Sequence, residues 1–303
     1  MKILLAGGTG FVGNALRESL IEKGHEVLIL TRQSGKENHP GIRTRYVYWS
    51  PPQEGVWEKE LEGTDAVINL AGESIANKRW SRDQKRKIRE SRTESTKALI
   101  DGIQKARRKP PVFLNASAVG YYGPRGEEEI NEDAGAGHDF LAETCKAWEA
   151  EALGAENLGI RSIRLRIGIV LEKGGGALAK MLPPFKLGLG GPLGTGRQWM
   201  SWIHRKDLIA LIHFLLENKD ARGVYNATAP HPVTMLEFAG TLGRVLHRPA
   251  FFPVPGFALK ILLGEMADML LTGQRVLPKR VLWAGYSFKF SSLEPALKEI
   301  LNR

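Results

Sequence analysis

KILLAGGTGFVGNALRESLIEKGHEVLILTR, residues 2–32, places an apolar run, a glycine turn, an amphipathic helix and a second apolar run in succession. KILLAG predicts a short buried strand and EVLILTR a second one, four or more apolar residues in a row being the pattern of strands covered on both faces. Between them GFVGNALRESLIEKG predicts a helix. Val12, Leu16 and Leu20 recur every fourth residue on one face, and Gly24 supplies a stop. The turn Gly7-Gly8-Thr9-Gly10-Phe11-Val12-Gly13 puts glycines at 7, 10 and 13, between strand and helix. Such a turn lets a diphosphate approach the main chain, where the helix N-terminus offers free N–H groups and a positive dipole end. A dinucleotide site built from Gly7, Thr9, Gly10, Phe11, Val12 and Gly13 follows. At the end of the second strand, an acidic residue would accept hydrogen bonds from the adenosine ribose. Thr31 and Arg32 stand there instead, and an arginine neutralises a 2′-phosphate, so NADP is expected in preference to NAD.

Outward from this unit the alternation continues. RYVYW (45–49), AVINLAG (66–72), VFLNASAV (112–119) and SIRLRIGIVL (162–171) predict further strands, and helices are expected over the basic segment 82–109 and over 138–152. Continuous apolar strands separated by helices indicate a parallel sheet covered on both faces. The expected fold is therefore α/β, a Rossmann-type doubly wound parallel sheet, with a smaller, mainly helical C-terminal substrate lobe. The glycine-rich stretch 174–196 reads as flexible or closely packed, and helices are expected near 205–218 and 234–247. From about Pro249 the sequence becomes helical, Met-rich and broken by prolines. The expected division is a dinucleotide-binding domain over 1–225, including part of the substrate lobe, and a small C-terminal domain over 249–300.

The 303 residues contain no run near the roughly 18 apolar residues a membrane helix needs. Met1-Lys2 leads into an apolar stretch too short for a secretory signal. The single cysteine, Cys145, excludes an internal disulfide and any cysteine-cluster metal site, and a cytoplasmic location is the simplest expectation. The formal charge is +10, and residues 82–109 alone hold eleven Lys/Arg against four Asp/Glu. That helix reads as a solvated face, as an anion site for a phosphorylated cofactor or substrate, or, most weakly, as a nucleic-acid surface. No histidine pair has helical metal-ligand spacing joined to further ligands, and no metal site is expected.

These residues resemble the extended branch of the short-chain dehydrogenase/reductase superfamily, which includes nucleotide-sugar epimerases and dehydratases. GGTGFVG (7–13) is similar to that branch's fingerprint. NLAG (69–72) resembles the segment lying along the cofactor after the fourth strand, Ser117 in NASAVGYYG matches the serine after the fifth, and WIHRKDL (202–208) resembles a substrate-domain motif. NLAGESI (69–75), WSRDQKRKIRESR (80–92) and the run from Gly174 to His204 are similar to an atypical epimerase-like subgroup. Its members are described as NADP-dependent oxidoreductases of unknown substrate with a C-terminal domain of unassigned function. The resemblance implies that Leu70, Ala71, Gly72, Lys87 and Arg92 join the cofactor site. Lys87 and Arg92 lie five residues apart and cannot share one helix face. It also implies a small-molecule substrate, and pairing through helices flanking the active site leaves a homodimer open.

The family's proton donor is a tyrosine with a lysine four residues later, a pair tuned for general acid/base work. With Lys146 taken as that lysine, the tyrosine position is Ala142, whose methyl carries no proton. Tyr121 and Tyr122, close to Ser117 in sequence, are the candidate substitutes, and Ser117, Tyr121, Tyr122 and Lys146 form the expected catalytic set. His204 and Asp207 read as a structural hinge more than as a dyad. Trp199, Met200 and Trp202 line a substrate pocket or pack a core, and Cys145 lies on the apolar stripe of its helix as a core residue. Two functions remain in view. One is an NADP-dependent oxidoreductase or epimerase-like enzyme acting on a small carbonyl or hydroxyl compound. The other is a non-catalytic NADP-binding regulatory or sensor protein.

Overall fold

A computed structural model describes residues 1–33 and 44–302. Its centre is a seven-stranded sheet of β1 (Lys2–Ala6), β2 (Glu26–Thr31), β3 (Thr44–Tyr48), β4 (Ala66–Asn69), β5 (Val112–Ala118), β6 (Arg161–Ile167) and β7 (Gly223–Ala227). The order is β7-β6-β5-β4-β1-β2-β3, and every pair is parallel. The helices of this half are α1 (Phe11–Glu22), α2 (Arg82–Lys105) and α3 (Phe140–Ala152). The remaining ones of eight residues or more are α4 (Gly176–Lys186), α5 (Arg205–Glu217), α6 (Met235–Leu246), α7 (Gly256–Leu263) and α8 (Leu293–Leu301).

Side chains alternate across the pleat, and both faces of the sheet are buried. Ile3 and Leu5 of β1 pack with Leu16 and Leu20 of α1 and with Leu208 and Ile212 of α5. Leu4 and Ala6 turn the other way, toward Leu99 and Ile103 of α2. The expected doubly wound α/β sheet is thus the observed one. The predicted strand 162–171 is divided at Gly168, where a Cβ would stand 2.3 Å from the Ser201 carbonyl oxygen. After it, Ile169–Leu171 leaves the sheet and pairs with Trp202–His204. The helix α4 had no clear signal among the glycines that precede it.

The lobe has its own core, in which Leu178 and Leu182 of α4 meet Phe238 and Leu242 of α6 and Leu297 and Ile300 of α8. The WIHRKDL motif fastens this C-terminal segment to α5. His204 Nδ1 accepts from the Lys206 amide at 3.0 Å, so its Nε2 carries the proton donated to Glu299 of α8 at 2.8 Å. The Asp207 carboxylate accepts the amides of Lys289 and Phe290 at 2.8 and 2.9 Å. Both side chains are engaged in holding segments together, which fits a hinge and not a dyad. Trp202 and Met200 belong to the lobe core, whereas Trp199 is half-buried, with the Arg275 guanidinium 4.6 Å from its ring and Nε1 bonded to Glu127.

Between α1 and α5, Ser19 Oγ and His213 Nε2 lie 2.9 Å apart. Burial, with nearby Lys23 adding to it, pushes the His213 pKa down to about 4. A histidine kept neutral by folding stabilises the fold above its free pKa near 6.5 and withdraws that support as pH falls toward 4. Urea denaturation should therefore show a loss on the order of 3 kcal/mol between these limits, and His213→Gln should flatten that part of the profile.

Candidate functional site

All seven strands end on one edge of the sheet, and the strand order reverses between β1 and β4, where such folds open a crevice. Gly7, at φ +79°, turns the chain after β1 against the chain after β4. A Cβ on Gly7 would stand 2.6 Å from the Leu70 carbonyl and 2.8 Å from the Ala71 nitrogen. A Cβ on Gly13 would lie 2.1 Å from Gly7 O, so helix and turn pack main chain to main chain. This brings the GGTGFVG and NLAG segments together as expected.

The start of α1 differs from its neighbours. Ser81, Asp139 and His204 cap α2, α3 and α5 by accepting a first-turn amide, whereas α1 begins at Gly10 with no side-chain cap and no acidic residue in its first turn. Its first intrahelical bond runs from Asn14 N to Gly10 O, leaving the amides of Phe11, Val12 and Gly13 directed out of the helix end. The Phe11 ring packs against Gly175 and Gly176 at the start of α4, with the Arg205 guanidinium 5.3 Å from its centroid. Thr31 is buried at the end of β2, its hydroxyl accepting from Gln33 N, and Arg32 is exposed beside it.

Behind the NLAG loop lies a buried network that periodicity had not revealed. Asn69 donates through Nδ2 to Thr96 at 2.9 Å and to Asn115 at 2.8 Å, while its Oδ1 accepts the Ala71 amide at 3.1 Å. Trp148 Nε1 donates to the same Thr96 hydroxyl at 2.9 Å. The one signal available was an asparagine at the end of an otherwise apolar strand, since a buried amide must find partners. Arg92 supports the loop from below. It donates to the carbonyls of Glu73 and Ile88, lies 5.2 Å from the Trp148 ring, and packs under Gly72. Burial pushes its guanidinium pKa down. Lys87, on another face of α2, is exposed and paired with Asp83 at 2.6 Å. Of the two cations, then, only Arg92 lies against the NLAG loop.

The expected catalytic set is divided. Ser117 is buried at the end of β5 and donates to Glu149 Oε1 at 2.6 Å. Glu149 holds Arg166 through two bonds, at 2.8 and 2.9 Å, and Arg166 Nη1 donates to the Tyr122 hydroxyl at 2.9 Å. Tyr122 donates onward to Asn226 at 2.7 Å, is fully buried, and has its phenol pKa pushed up to about 12 by burial. It is a core hydrogen-bonding residue. Tyr121 is only half-buried, its ring lying 3.4 Å below the Arg166 guanidinium.

Lys146 does not face Ser117. It lies exposed on α3 and pairs with Glu143 at 2.8 Å. Because Glu149 is the α3 residue that reaches Ser117, the positions one and two turns before it, Cys145 and Leu141, share that face. Cys145 is buried beside Ser117, its thiol pushed up to about 11 by burial, and Leu141 packs on Gly120. The register assumed from sequence, Ala142 with Lys146, is thus displaced by one residue, about 100° of helix. The corrected register holds neither tyrosine nor lysine. No group of three or more His, Cys, Asp or Glu with metal-binding geometry occurs among the described residues.

The model of the NAD dependent epimerase/dehydratase family matches residues 3–228. The chain belongs to that family. A second model, a domain of unknown function called DUF1731, matches 254–300. The chain is 43% identical to the epimerase family protein YfhF of Bacillus subtilis, covering 99% of this chain and 98% of the relative. It is also 43% identical to an Arabidopsis thaliana protein named "Epimerase family protein SDR39U1 homolog, chloroplastic", over 100% of this chain and 87% of that one. The crystal structure of human epimerase family protein SDR39U1 (isoform 2) with NADPH superposes with a TM-score of 0.88 at 38% identity, covering 100% and 99% of the two chains.

Two substitutions on α3 separate its faces. Glu149→Ala leaves Arg166 buried without its partner and should cost about 3–5 kcal/mol in urea unfolding. Lys146→Ala, on the exposed side, should leave the unfolding midpoint unchanged.

Proposed function

We propose that the protein is an NADPH-dependent oxidoreductase acting on a small carbonyl or hydroxyl compound. The observation that carries this reading is the start of α1, where three amides point out of a glycine turn that leaves no room for a side chain. The family relationship to a human protein crystallised with NADPH supports the choice of cofactor. The amides of Phe11, Val12 and Gly13 would hold the diphosphate, with Gly7, Thr9 and Gly10 forming the turn. Leu70, Ala71 and Gly72 would lie along the nucleotide, held by Asn69 and Arg92. Arg32 would meet the 2′-phosphate, with Thr31 fixing the end of its strand.

When bound, NADPH supplies a hydride for a carbonyl carbon, or its oxidised form takes one from an alcohol. The residues of the chain must supply or accept the accompanying proton. Tyr121 is the better candidate for that transfer. Tyr122 is enclosed, and both roles of its hydroxyl are taken. Ser117 already donates its proton to Glu149, so it would meet a substrate through its oxygen lone pairs. Lys146 has no place in this chemistry as the helix lies. A second reading, a non-catalytic NADPH-binding regulatory module, is favoured by the same engaged serine and by Cys145 and Leu141 in the corrected register. No helix among the described residues is long and apolar enough to cross a membrane. A buried free thiol suits a reducing compartment such as the cytoplasm, and equally an organelle interior like the one named for the Arabidopsis relative.

Equilibrium titration should give NADPH tighter binding than NADH by roughly tenfold or more, about 1.4 kcal/mol per factor of ten. Arg32→Ala should remove that preference, and Gly13→Ala should abolish binding of both. With deuterated NADPH and a panel of small carbonyl compounds, stereospecific label transfer is expected. Tyr121→Phe should slow it on the order of 100-fold while leaving NADPH affinity intact. Tight NADPH binding without label transfer to any compound would favour the regulatory module.

A further inference from the structure

The segment matched by the domain of unknown function touches the chain that follows two neighbouring strands, β4 and β5. After β5, Val119 O accepts from Gln274 Nε2 at 2.7 Å, and Arg125 N donates to Gly273 O at 3.3 Å. After β4, Arg79 Nη2 donates to Ile261 O at 3.3 Å, and Lys85 pairs with Glu265. The Lys85 ammonium also lies 5.2 Å from the ring of Phe140, the first residue of α3, and the next residue, Leu141, packs on Gly120. Residues 261–274 therefore span the ends of β4 and β5, beside the segment that carries Ser117 and Tyr121.

The two ends of this span are held unequally. At one end Val276 is fully buried, and its amide donates to Ser201 Oγ at 2.9 Å. Ser201 donates in turn to Gln274 O at 2.7 Å, and a Cβ on Gly273 would stand 2.1 Å from Trp199 O. At the other end α7 buries only Leu259. Its fastenings are near solvent, with the Lys85 and Glu265 side chains 28% and 48% exposed, and an ion pair so exposed adds little to stability. A helix with one buried residue and exposed fastenings parts from its neighbour at low cost. The facing segment is better held. Lys180 of α4 donates to Ala76 O, Trp80 Nε1 donates to Ile75 O at 2.8 Å, and the Trp80 ring meets Phe140 at 5.1 Å. The piece able to move is α7.

We propose that α7 and the turn Gly264–Ala267 form a strap over the substrate end of the crevice, unfastening from Arg79 and Lys85 to let ligands exchange. The identity of the exchanging cofactor rests on the NADPH reading above. A strap that encloses the crevice without touching the nucleotide acts on rates. Loosening it speeds entry and exit together and leaves affinity nearly unchanged, because the open state is favoured equally with and without ligand.

Charge reversal across the exposed pair tests this in the full chain. In stopped-flow mixing, Glu265→Lys and Lys85→Glu should each raise the NADPH association and release rates about fivefold, with Kd changed less than about twofold. The double variant Lys85→Glu/Glu265→Lys, which restores an opposite-charge pair, should return both rates to wild type. Hydrogen–deuterium exchange of the ligand-free chain should show faster uptake in α7 for each single reversal, reversed in the double variant, with α8 unchanged. Wild-type rates in both single variants overturn the strap, as do faster rates that the double variant leaves in place. A rise in release alone, matched by lost affinity, overturns it too, since the pair would then hold the cofactor directly. Failure of the wild-type chain to bind NADPH would instead overturn the cofactor reading. The ligand-free exchange then decides the strap, and unchanged α7 uptake in the reversals overturns it.

Discussion

The contact between the turn after β1 and the chain after β4 governs the rest of the structure. Gly7 meets the Leu70 and Ala71 main chain at a separation that admits no Cβ, and Gly13 meets Gly7 in the same way. These two approaches fix where α1 begins relative to the sheet edge, and therefore where its outward amides point. Asn69 makes the contact durable. Buried at the end of β4, it holds the Ala71 amide with its oxygen and ties β5 and α2 together with its nitrogen. An unpaired amide at that depth costs on the order of 1–3 kcal/mol, so loop shape and core stability are one matter.

The same pairing of polar groups explains why the surroundings of Ser117 are harder to read from sequence than the glycine turn. The glycine turn was legible because it is local, with strand, turn and helix fixed by residues within one short stretch. Thr31, Arg32 and the NLAG segment could be placed from there by counting strands. The contacts of Ser117 are not local. Its partner Glu149 lies 32 residues on, and Glu149 in turn is fixed by Arg166 on the next strand. Periodicity assigned α3 as amphipathic, and Cys145, Trp148 and Ala152 are indeed buried. Yet periodicity places the apolar stripe, not which of two adjacent residues meets a given strand end. A shift of one position moves Lys146 from the crevice to solvent and brings Cys145 inward. The polar anchor Glu149, more than the apolar stripe, sets the rotation of the helix.

The motif WIHRKDL shows the same limit. Its histidine and aspartate were visible as a spacing, but their partners, Glu299, Lys289 and Phe290, are 82 to 95 residues away along the chain. Their geometry ties α5, which packs under the seven-stranded sheet, to α8, which lies in the lobe core. The boundary apparent near Pro249 is therefore a change in composition, while the hydrophobic core of the lobe draws on chain from both sides of it.

Charge completes the account. The surplus on residues 82–109 looks large in sequence, but the fold neutralises much of it. Asp83 serves Arg86 and Lys87, Asp101 serves Lys97, Glu54 and Glu58 serve Lys105, and Glu265 serves Lys85. Arg92 is instead turned inward beneath the NLAG loop. A nucleic-acid surface needs a row of cations free to displace counterions from phosphates. Here five of the eleven, Lys85, Arg86, Lys87, Lys97 and Lys105, are held by carboxylates of the same helix or of a neighbouring element. Arg32, by contrast, is exposed at the end of β2, on the sheet edge where the strand order reverses. What sets Arg32 apart from the cations of 82–109 is therefore its place at the sheet edge, not the local density of charge.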